Sequence, residues 1–166
     1  MSRKNKIVLS LIFSVLVILL SGCSGSEKLN HYYLLLAGES QTWNLSDYEV
    51  VLTPEDFKAG YGTLQMKNSN EYISDSFRFE THVVINGEDI IVHSSSFTGP
   101  EIDIAEETTG AMESGPYLDE NGSPITLNEI SNIYMMVEWW DVDKRESMNE
   151  RIDLFTKSTK EQTFFN

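Results

Sequence analysis

Two alternating segments joined by Asn86-Gly87 constrain the fold of this sequence more than any other feature. Residues 76–85 and 88–97 alternate apolar and polar side chains, and Asn-Gly readily takes the positive φ angles of a two-residue type I′ turn. Because such a turn fixes the register, we predict an antiparallel hairpin with Ile85 opposite Glu88. One face of this hairpin is apolar and belongs to the core: Phe77, Phe79, Thr81, Val83, Ile90 and Val92.

Further strand signals follow along the chain. Runs rich in aromatic, aliphatic and β-branched residues, separated by turn residues, lie at 31–38, 48–53, 63–67, 132–140, 151–155 and 163–165. We predict that the run at 132–140 is the central strand, because it combines two alternating faces of large side chains. Thr126-x-x-Glu129 predicts a capping box with about one helical turn.

Seven or eight short strands without a convincing long helix among them predict an all-β domain over residues 30–166. The spacing favours an antiparallel β-sandwich of immunoglobulin-like type, with a small barrel as the alternative. Residues 54–60 and 99–124 break the pattern. The second of these stretches holds seven acids, no base, four glycines and three prolines, so we predict a long loop with one short edge strand near Ile102 and Ile104.

The first 22 residues have the composition of a secretory signal peptide. Three bases precede an apolar run at 7–20 that only two serines interrupt, and small residues follow it. The run is shorter than the roughly 18 residues expected of a spanning segment. We therefore predict an N-terminal signal helix over residues 1–22.

Leu20-Ser21-Gly22-Cys23 resembles the lipobox of bacterial lipoproteins. The resemblance implies that the Cys23 thiol receives a diacylglyceryl group and that cleavage before it makes Cys23 the new N-terminus. Residues 23–29 are then the lipid anchor and tether, and the domain sits at the extracytoplasmic face of the cell membrane. Cys23 is the only cysteine in the sequence, so the predicted domain forms no disulfide.

Two motifs in the remainder resemble a set of small uncharacterised lipoproteins of Gram-positive bacteria. They are Gly38-Glu39-Ser40-x-x-Trp43 after the first predicted strand and Glu138-Trp139-Trp140-Asp141 in the central one. This resemblance implies no activity.

The charge of the chain excludes one class of partner. Residues 1–22 carry three of the twelve bases and none of the 26 acids, so their removal leaves a formal charge of −17. Such an excess of acid disfavours nucleic acid, which needs clustered Lys and Arg, and direct contact with anionic lipid. It can attract cations or basic partners.

The sequence offers only weak candidates for a catalytic site or a zinc site. Continued along the hairpin, the predicted register places Glu80 opposite His93 on the outer face, with His82 and Ser95 nearby. A carboxylate, an imidazole and a hydroxyl are the parts of a nucleophile system, and Glu80 with the two histidines is a loose zinc triad. No nucleophile motif accompanies them, and we expect an ordinary cross-strand Glu–His pair.

Calcium is the one cofactor that the sequence leaves open. Asp119 and Asn121 begin an alternating run of oxygen donors, but the glycine and glutamate positions of an EF-hand are not matched. Glu138, Asp141 and Asp143 form a second oxygen-rich group. We expect a solvated turn in each case, with calcium as the alternative.

We expect a non-enzymatic binding or accessory module at the cell surface, whose partner is an exported protein or a wall polymer. The candidate contacts are Glu106 and Glu107 in the acidic stretch and the Trp139-Trp140 pair, of which alternation buries one ring. The alternatives are a hydrolase of wall or exported substrates acting through carboxylates, and a calcium-binding structural lipoprotein. The candidate carboxylates of the hydrolase are Glu80, Glu138 and Asp141.

Overall fold

The computed structural model describes residues 30–157, which contain ten strands and one turn of 3₁₀ helix at Leu127–Glu129. The strands are β1 (Tyr32–Glu39), β2 (Trp43–Leu52), β3 (Phe57–Gly60), β4 (Thr63–Met66), β5 (Ile73–Ile85), β6 (Glu88–Asp103), β7 (Glu106–Thr108), β8 (Ala111–Ser114), β9 (Ile130–Asp141) and β10 (Glu146–Thr156). The predicted signal helix, Cys23, the tether and the final strand at 163–165 lie outside the described residues.

The six-stranded sheet is built around β2. Strand β1 pairs with β2 on one side, while β4 and β3 pair with successive halves of its other side and are extended by β7 and β8. Strands β3 and β4 are two halves of one path, which is interrupted at Tyr61, a residue with a φ of 61°. Strands β7 and β8 are interrupted in the same way at Gly110. The ten strands therefore follow eight paths.

The four-stranded sheet has the order β10-β9-β5-β6 and is antiparallel throughout. The Asn86-Gly87 hairpin is confirmed, with positive φ angles at both residues and Ile85 opposite Glu88. The run predicted as the central strand lies in β9, between β5 and β10. The capping box between Thr126 and Glu129 is also confirmed.

The predicted hairpin register is wrong beyond His82. The turn predicts Thr81 opposite Val92, but a bulge at Val92 shifts the pairing so that Thr81 faces His93. Both Val92 and His93 are consequently buried. A bulge inserts one extra residue into a strand, so every later residue faces the opposite side of the sheet. The alternation of apolar and polar residues in the sequence does not reveal where such an insertion occurs.

The two stretches predicted as breaks contain strands. Residues 54–60 end in β3, and residues 99–124 contain the end of β6 followed by β7 and β8. Strand β3 pairs with β2, whereas β7 and β8 pair with β4 and β3, and the residues paired there are 41 to 57 positions apart in the sequence. Their stability comes from those distant partners, so local composition does not reveal them.

The two sheets pack face to face around large aromatic side chains. Trp43 of β2 lies 5.5 Å from Phe77 of β5 and 5.6 Å from Trp139 of β9, measured between ring centroids. All three side chains are buried. This packing confirms the predicted antiparallel β-sandwich, and the separation of the strands into two sheets excludes the small barrel for the described residues.

Residues 30–157 include no helix that is long and apolar enough to span a membrane.

Gly38 of β1 has no room for a side chain, and its substitution should test the contact between the two sheets. A Cβ at this position would lie 2.6 Å from the backbone oxygen of Asp153 and 2.7 Å from the Ile152 side chain of β10. We expect Gly38→Ala to lower the free energy of unfolding by about 1–3 kcal/mol, measured by urea denaturation. Gly115→Ala is the matched control, because a Cβ there meets nothing within 4 Å. Equal midpoints for the two variants would contradict the close approach.

Candidate binding face on the four-stranded sheet

The outer face of the four-stranded sheet carries the densest group of interacting polar and aromatic side chains in the described part of the chain. Alternation along β5 and β9 turns every second residue away from the core. We call this surface the binding face; its members are Arg78, Glu80, His82, Asp89, Tyr134, Met136, Glu138, Trp140, Ser147, Asn149, Arg151 and Asp153.

Asp89 joins two strands at one end of the binding face. Its carboxylate accepts hydrogen bonds from His82 Nδ1, at 2.8 Å, and from the Tyr134 hydroxyl. The Tyr134 bond holds the pKa of Asp89 below its usual value, with His82 contributing and burial opposing. Burial and the neighbouring carboxylate raise the pKa of Tyr134. At neutral pH Asp89 is therefore ionised and can only accept hydrogen bonds, so the hydrogen of the His82–Asp89 bond is carried by His82 Nδ1.

Tyr134 also contacts a residue of each neighbouring strand through its ring. The imidazole of His82 on β5 stacks on it, with centroids 4.7 Å apart and planes 9° from parallel. The guanidinium carbon of Arg151 on β10 lies 3.7 Å from the ring centroid, within the range of a cation–π contact. Arg151 in turn donates to Asp153 through Nε at 2.8 Å. Three strands are thus tied together by one aromatic side chain.

The other end of the binding face is more open. Arg78 is about half exposed and forms an ion pair with Glu80, while Glu138 lies beside Arg78 and accepts a hydrogen bond from Ser147 at 2.9 Å. A shallow depression here contains a single carboxylate. Its lining residues are Ser76, Phe77, Arg78, Ser96, Thr98 and Glu138. Trp140 is half-buried on the same face.

His82 Nε2 is a buried nitrogen with no hydrogen-bond partner. The nearest carboxylate oxygen, Glu80 Oε2, lies 3.9 Å away, beyond hydrogen-bond distance. Because Nδ1 already donates to Asp89, Nε2 is the nitrogen of this imidazole that is left without a partner, and it is closed to solvent.

The predicted group of Glu80, His82 and His93 does not form. The bulge at Val92 moves His93 into the core, so it lies on the opposite side of the sheet from Glu80. Ser95 pairs with Phe79 and is not brought to Glu80. Both the zinc triad and the nucleophile system are therefore wrong, and the described residues contain no group of three His, Cys, Asp or Glu arranged to hold a metal ion.

His93 belongs instead to a polar chain inside the sandwich. Its Nδ1 lies 2.9 Å from the Tyr48 hydroxyl, which is also 2.9 Å from Thr81 Oγ1. Burial lowers the pKa of His93, and a hydrogen bond to the Thr109 backbone opposes this shift. Burial also disfavours the charged form of Tyr48, which for a phenol means that its pKa is raised. The chain joins β2, β5 and β6 with both titratable groups uncharged at neutral pH.

The candidate calcium ligands close turns. Asp119 accepts hydrogen bonds from the backbone N–H groups of Asn121 and Ser123, both at 2.8 Å, and these bonds lower its pKa. Asp141 accepts from the backbone of Asp143 and of Lys144 and forms an ion pair with the Lys144 ammonium. These carboxylates already have donors that satisfy them. Calcium binding at either turn stays a prediction.

The candidate contacts lie in different places. Trp139 is 3% exposed and packs on Trp43, so it is the ring of the pair that alternation buries, whereas Trp140 lies on the binding face. Glu106 and Glu107 lie on the edge strand β7 of the other sheet, where burial and nearby Asp103 raise the pKa of Glu107.

Each carboxylate proposed for hydrolysis has a different local environment, and the three do not form one group. Glu80 is paired with Arg78, Glu138 with Ser147, and Asp141 is buried in the β9–β10 turn. The depression beside Glu138 holds one carboxylate, whereas glycoside hydrolysis uses two that face a shared cleft. No contact in the described residues favours the hydrolase.

Sequence reasoning identified part of the binding face and missed its centre. Alternation from the Asn86-Gly87 turn and along the run at 132–140 is enough to assign His82, Asp89 and Tyr134 to outer faces, and the structure places all three there. Their convergence, and the contact with Arg151, depend on β5 and β10 flanking β9, which no local pattern shows. No known protein family, curated protein or solved structure matches the chain.

The buried position of His93 predicts a pH dependence of stability. Because its pKa is lowered in the folded protein, the unfolded chain takes up a proton first as the pH falls below about 6.5. The free energy of unfolding should therefore decrease from pH 7.5 towards pH 5, by at most about 1.4 kcal/mol per pH unit from this residue. Urea denaturation of wild type and His93→Gln should show a shallower dependence in the variant. His31→Gln, at an exposed histidine, should retain the wild-type slope, and an unchanged slope in His93→Gln would contradict the assignment.

Proposed function

We propose that this protein is an extracytoplasmic lipoprotein, held on the outer face of the cell membrane by a diacylglyceryl group on Cys23. The proposal is supported by the basic, apolar and small-residue regions that end at Leu20-Ser21-Gly22-Cys23. Two acyl chains anchor a protein stably, at about 0.8 kcal/mol for each buried CH₂. The compact sandwich begins only a few residues after the cysteine.

The β-sandwich acts as a non-enzymatic binding module, and the binding face is its contact surface. The observation that carries this assignment is the ordered contact of Tyr134 with His82, Asp89 and Arg151 across three strands. Side chains whose rotamers are held before binding lose less conformational entropy when a partner arrives. The neighbouring end of the face supplies exposed Arg78 and half-buried Trp140, two residue types that dominate the energetics of interfaces.

The partner is an exported protein or a polymer of the cell wall. Although the molecule carries a net negative charge, the binding face presents Arg78 and Arg151 together with carboxylates and the Tyr134 ring. A planar guanidinium and an indole suit hydroxyl- and carboxylate-bearing groups, which both classes of partner present.

The anchor predicts a change of mass and of location when Cys23 is replaced. Cys23→Ala lacks the thiol that carries the diacylglyceryl group, so the protein should remain uncleaved at this site and lose the acylated mass. Mass spectrometry and detergent partitioning of the two proteins, expressed in a Gram-positive host, measure both effects. A wild-type protein with a bare thiol and an intact leader would contradict the anchor.

The binding face predicts a localised loss of partner capture. We expect Arg78→Ala with Trp140→Ala to reduce capture by the domain of residues 24–166 by about tenfold or more, because such residues are the usual hot spots. The capture assay uses insoluble wall material and soluble surface proteins as separate arms, which distinguishes the two partner classes. Lys58→Ala is the matched control, since Lys58 also loses surface ion pairs but lies on the other sheet. Equal losses in the two variants would contradict the assigned face.

A further inference from the structure

An exposed apolar patch lies on the opposite side of the sandwich from the binding face. Tyr33 and Leu35 of the edge strand β1 are 60% and 59% exposed, although both are large and apolar. Tyr33 pairs with Val51 of β2, which is half-buried on the same outer face. We call Tyr33, Leu35 and Val51 the apolar patch. Their neighbours Tyr32, Leu34 and Leu36 alternate towards the core, so the patch is not an extension of it.

The patch lies close to the anchor along the chain. Asn30 lies seven positions after Cys23, and a fully extended chain over these seven steps spans at most about 25 Å. Leu35 is only five residues further along β1. Whatever path residues 23–29 take, a chain acylated at Cys23 holds the apolar patch within about 45 Å of the bilayer surface.

From this geometry we propose that the apolar patch rests on the lipid surface, so that the six-stranded sheet faces the membrane and the binding face points away from it. The inference rests on the proposed anchor at Cys23. A tyrosine presents an apolar ring with a polar end, which suits the boundary between acyl chains and headgroups. The Glu49 carboxylate beside the Tyr33 side chain raises the Tyr33 pKa and gives its hydroxyl a polar neighbour.

The contact is apolar and does not depend on attraction to anionic lipid. Lys58 is the base on the adjoining strand β3, and it is already paired with Asp56 and Glu113, both at 3.2 Å. Glu49 lies directly beside Leu35 in the sheet. Two large side chains are too few to hold a free protein on a bilayer, but the tether raises their effective concentration at the surface, which makes a small contact sufficient.

The single cysteine of the chain gives a position-specific test. In the acylated full-length protein the Cys23 sulfur is a thioether, so Ala37→Cys, at an exposed position of β1 next to the patch, provides the one thiol that reacts with an environment-sensitive maleimide dye. Ser94→Cys, exposed on the outer face of the four-stranded sheet, is the matched position. Both labelled proteins are reconstituted into phosphatidylcholine vesicles, with and without nitroxide-bearing lipid.

We expect blue-shifted emission and nitroxide quenching at position 37 and neither effect at position 94. Tyr33→Ser with Leu35→Ser should abolish both effects at position 37 while the protein stays bound to the vesicles. Replacing part of the phosphatidylcholine with phosphatidylglycerol should weaken them, because Glu49, Asp56 and Glu113 surround the patch.

Three results would overturn the proposal. Equal emission and quenching at the two positions would mean that the patch faces water. A blue shift at position 37 that grows with the number of proteins per vesicle, without nitroxide quenching, would assign the patch to a second copy of the chain. Uptake of the dye by the wild-type protein would show that Cys23 carries a free thiol, and the anchor, together with the inference that depends on it, would fail.

Discussion

The sandwich depends on the packing of Trp43 from one sheet against Phe77 and Trp139 from the other. These three buried rings meet across the inter-sheet contact, and each removes more than about 150 Å² from water. The hydrogen-bonded chain of Tyr48, Thr81 and His93 lies in the same interior and gives it a defined geometry, because each polar group has a partner only when the sheets are correctly aligned. Aromatic packing provides the buried area at this contact between the sheets, and the polar chain favours one alignment of the two sheets.

That alignment also determines which side chains are left for the surface. Phe77, Phe79 and Thr81 of β5 face the core. The residues that alternate with them, Arg78, Glu80 and His82, must therefore point outwards. Strand β9 presents Tyr134, Glu138 and Trp140 beside them. The binding face is therefore the obligatory reverse side of the core. A change that altered the register of β5 against β9 by one residue would exchange the two sets, burying charge and exposing aromatic rings.

The local sequence patterns were sufficient for the features that short-range chemistry controls. The Asn86-Gly87 turn, the capping box at Thr126 and the two faces of β9 were all predicted, because each depends on residues close together in the chain. The bulge at Val92 was not predicted, and it alone moved His93 from the surface to the core. Strands β7 and β8 were interpreted as loop, because these short acidic segments on either side of Gly110 acquire strand structure only from pairing with β4 and β3. The sequence thus predicted the outer-face residues only where no bulge intervenes, and the contacts among His82, Tyr134 and Arg151 required the order of strands, which is a long-range property.

The two outer faces of the sandwich differ in a way that a lipid anchor would exploit. The six-stranded sheet presents Tyr33 and Leu35 on its first strand, where the polar network is sparse and the chain leads back to Cys23. The four-stranded sheet presents the ordered network around Tyr134, on strands that are remote in sequence from the anchor. A tethered domain without a preferred orientation would expose either face to the bilayer, and a partner could reach the binding face only part of the time. On the proposed anchor, an apolar contact at β1 would remove this ambiguity, because it would direct one sheet to the membrane and leave the other accessible, and the acidity of the remaining surface would keep the contact from spreading.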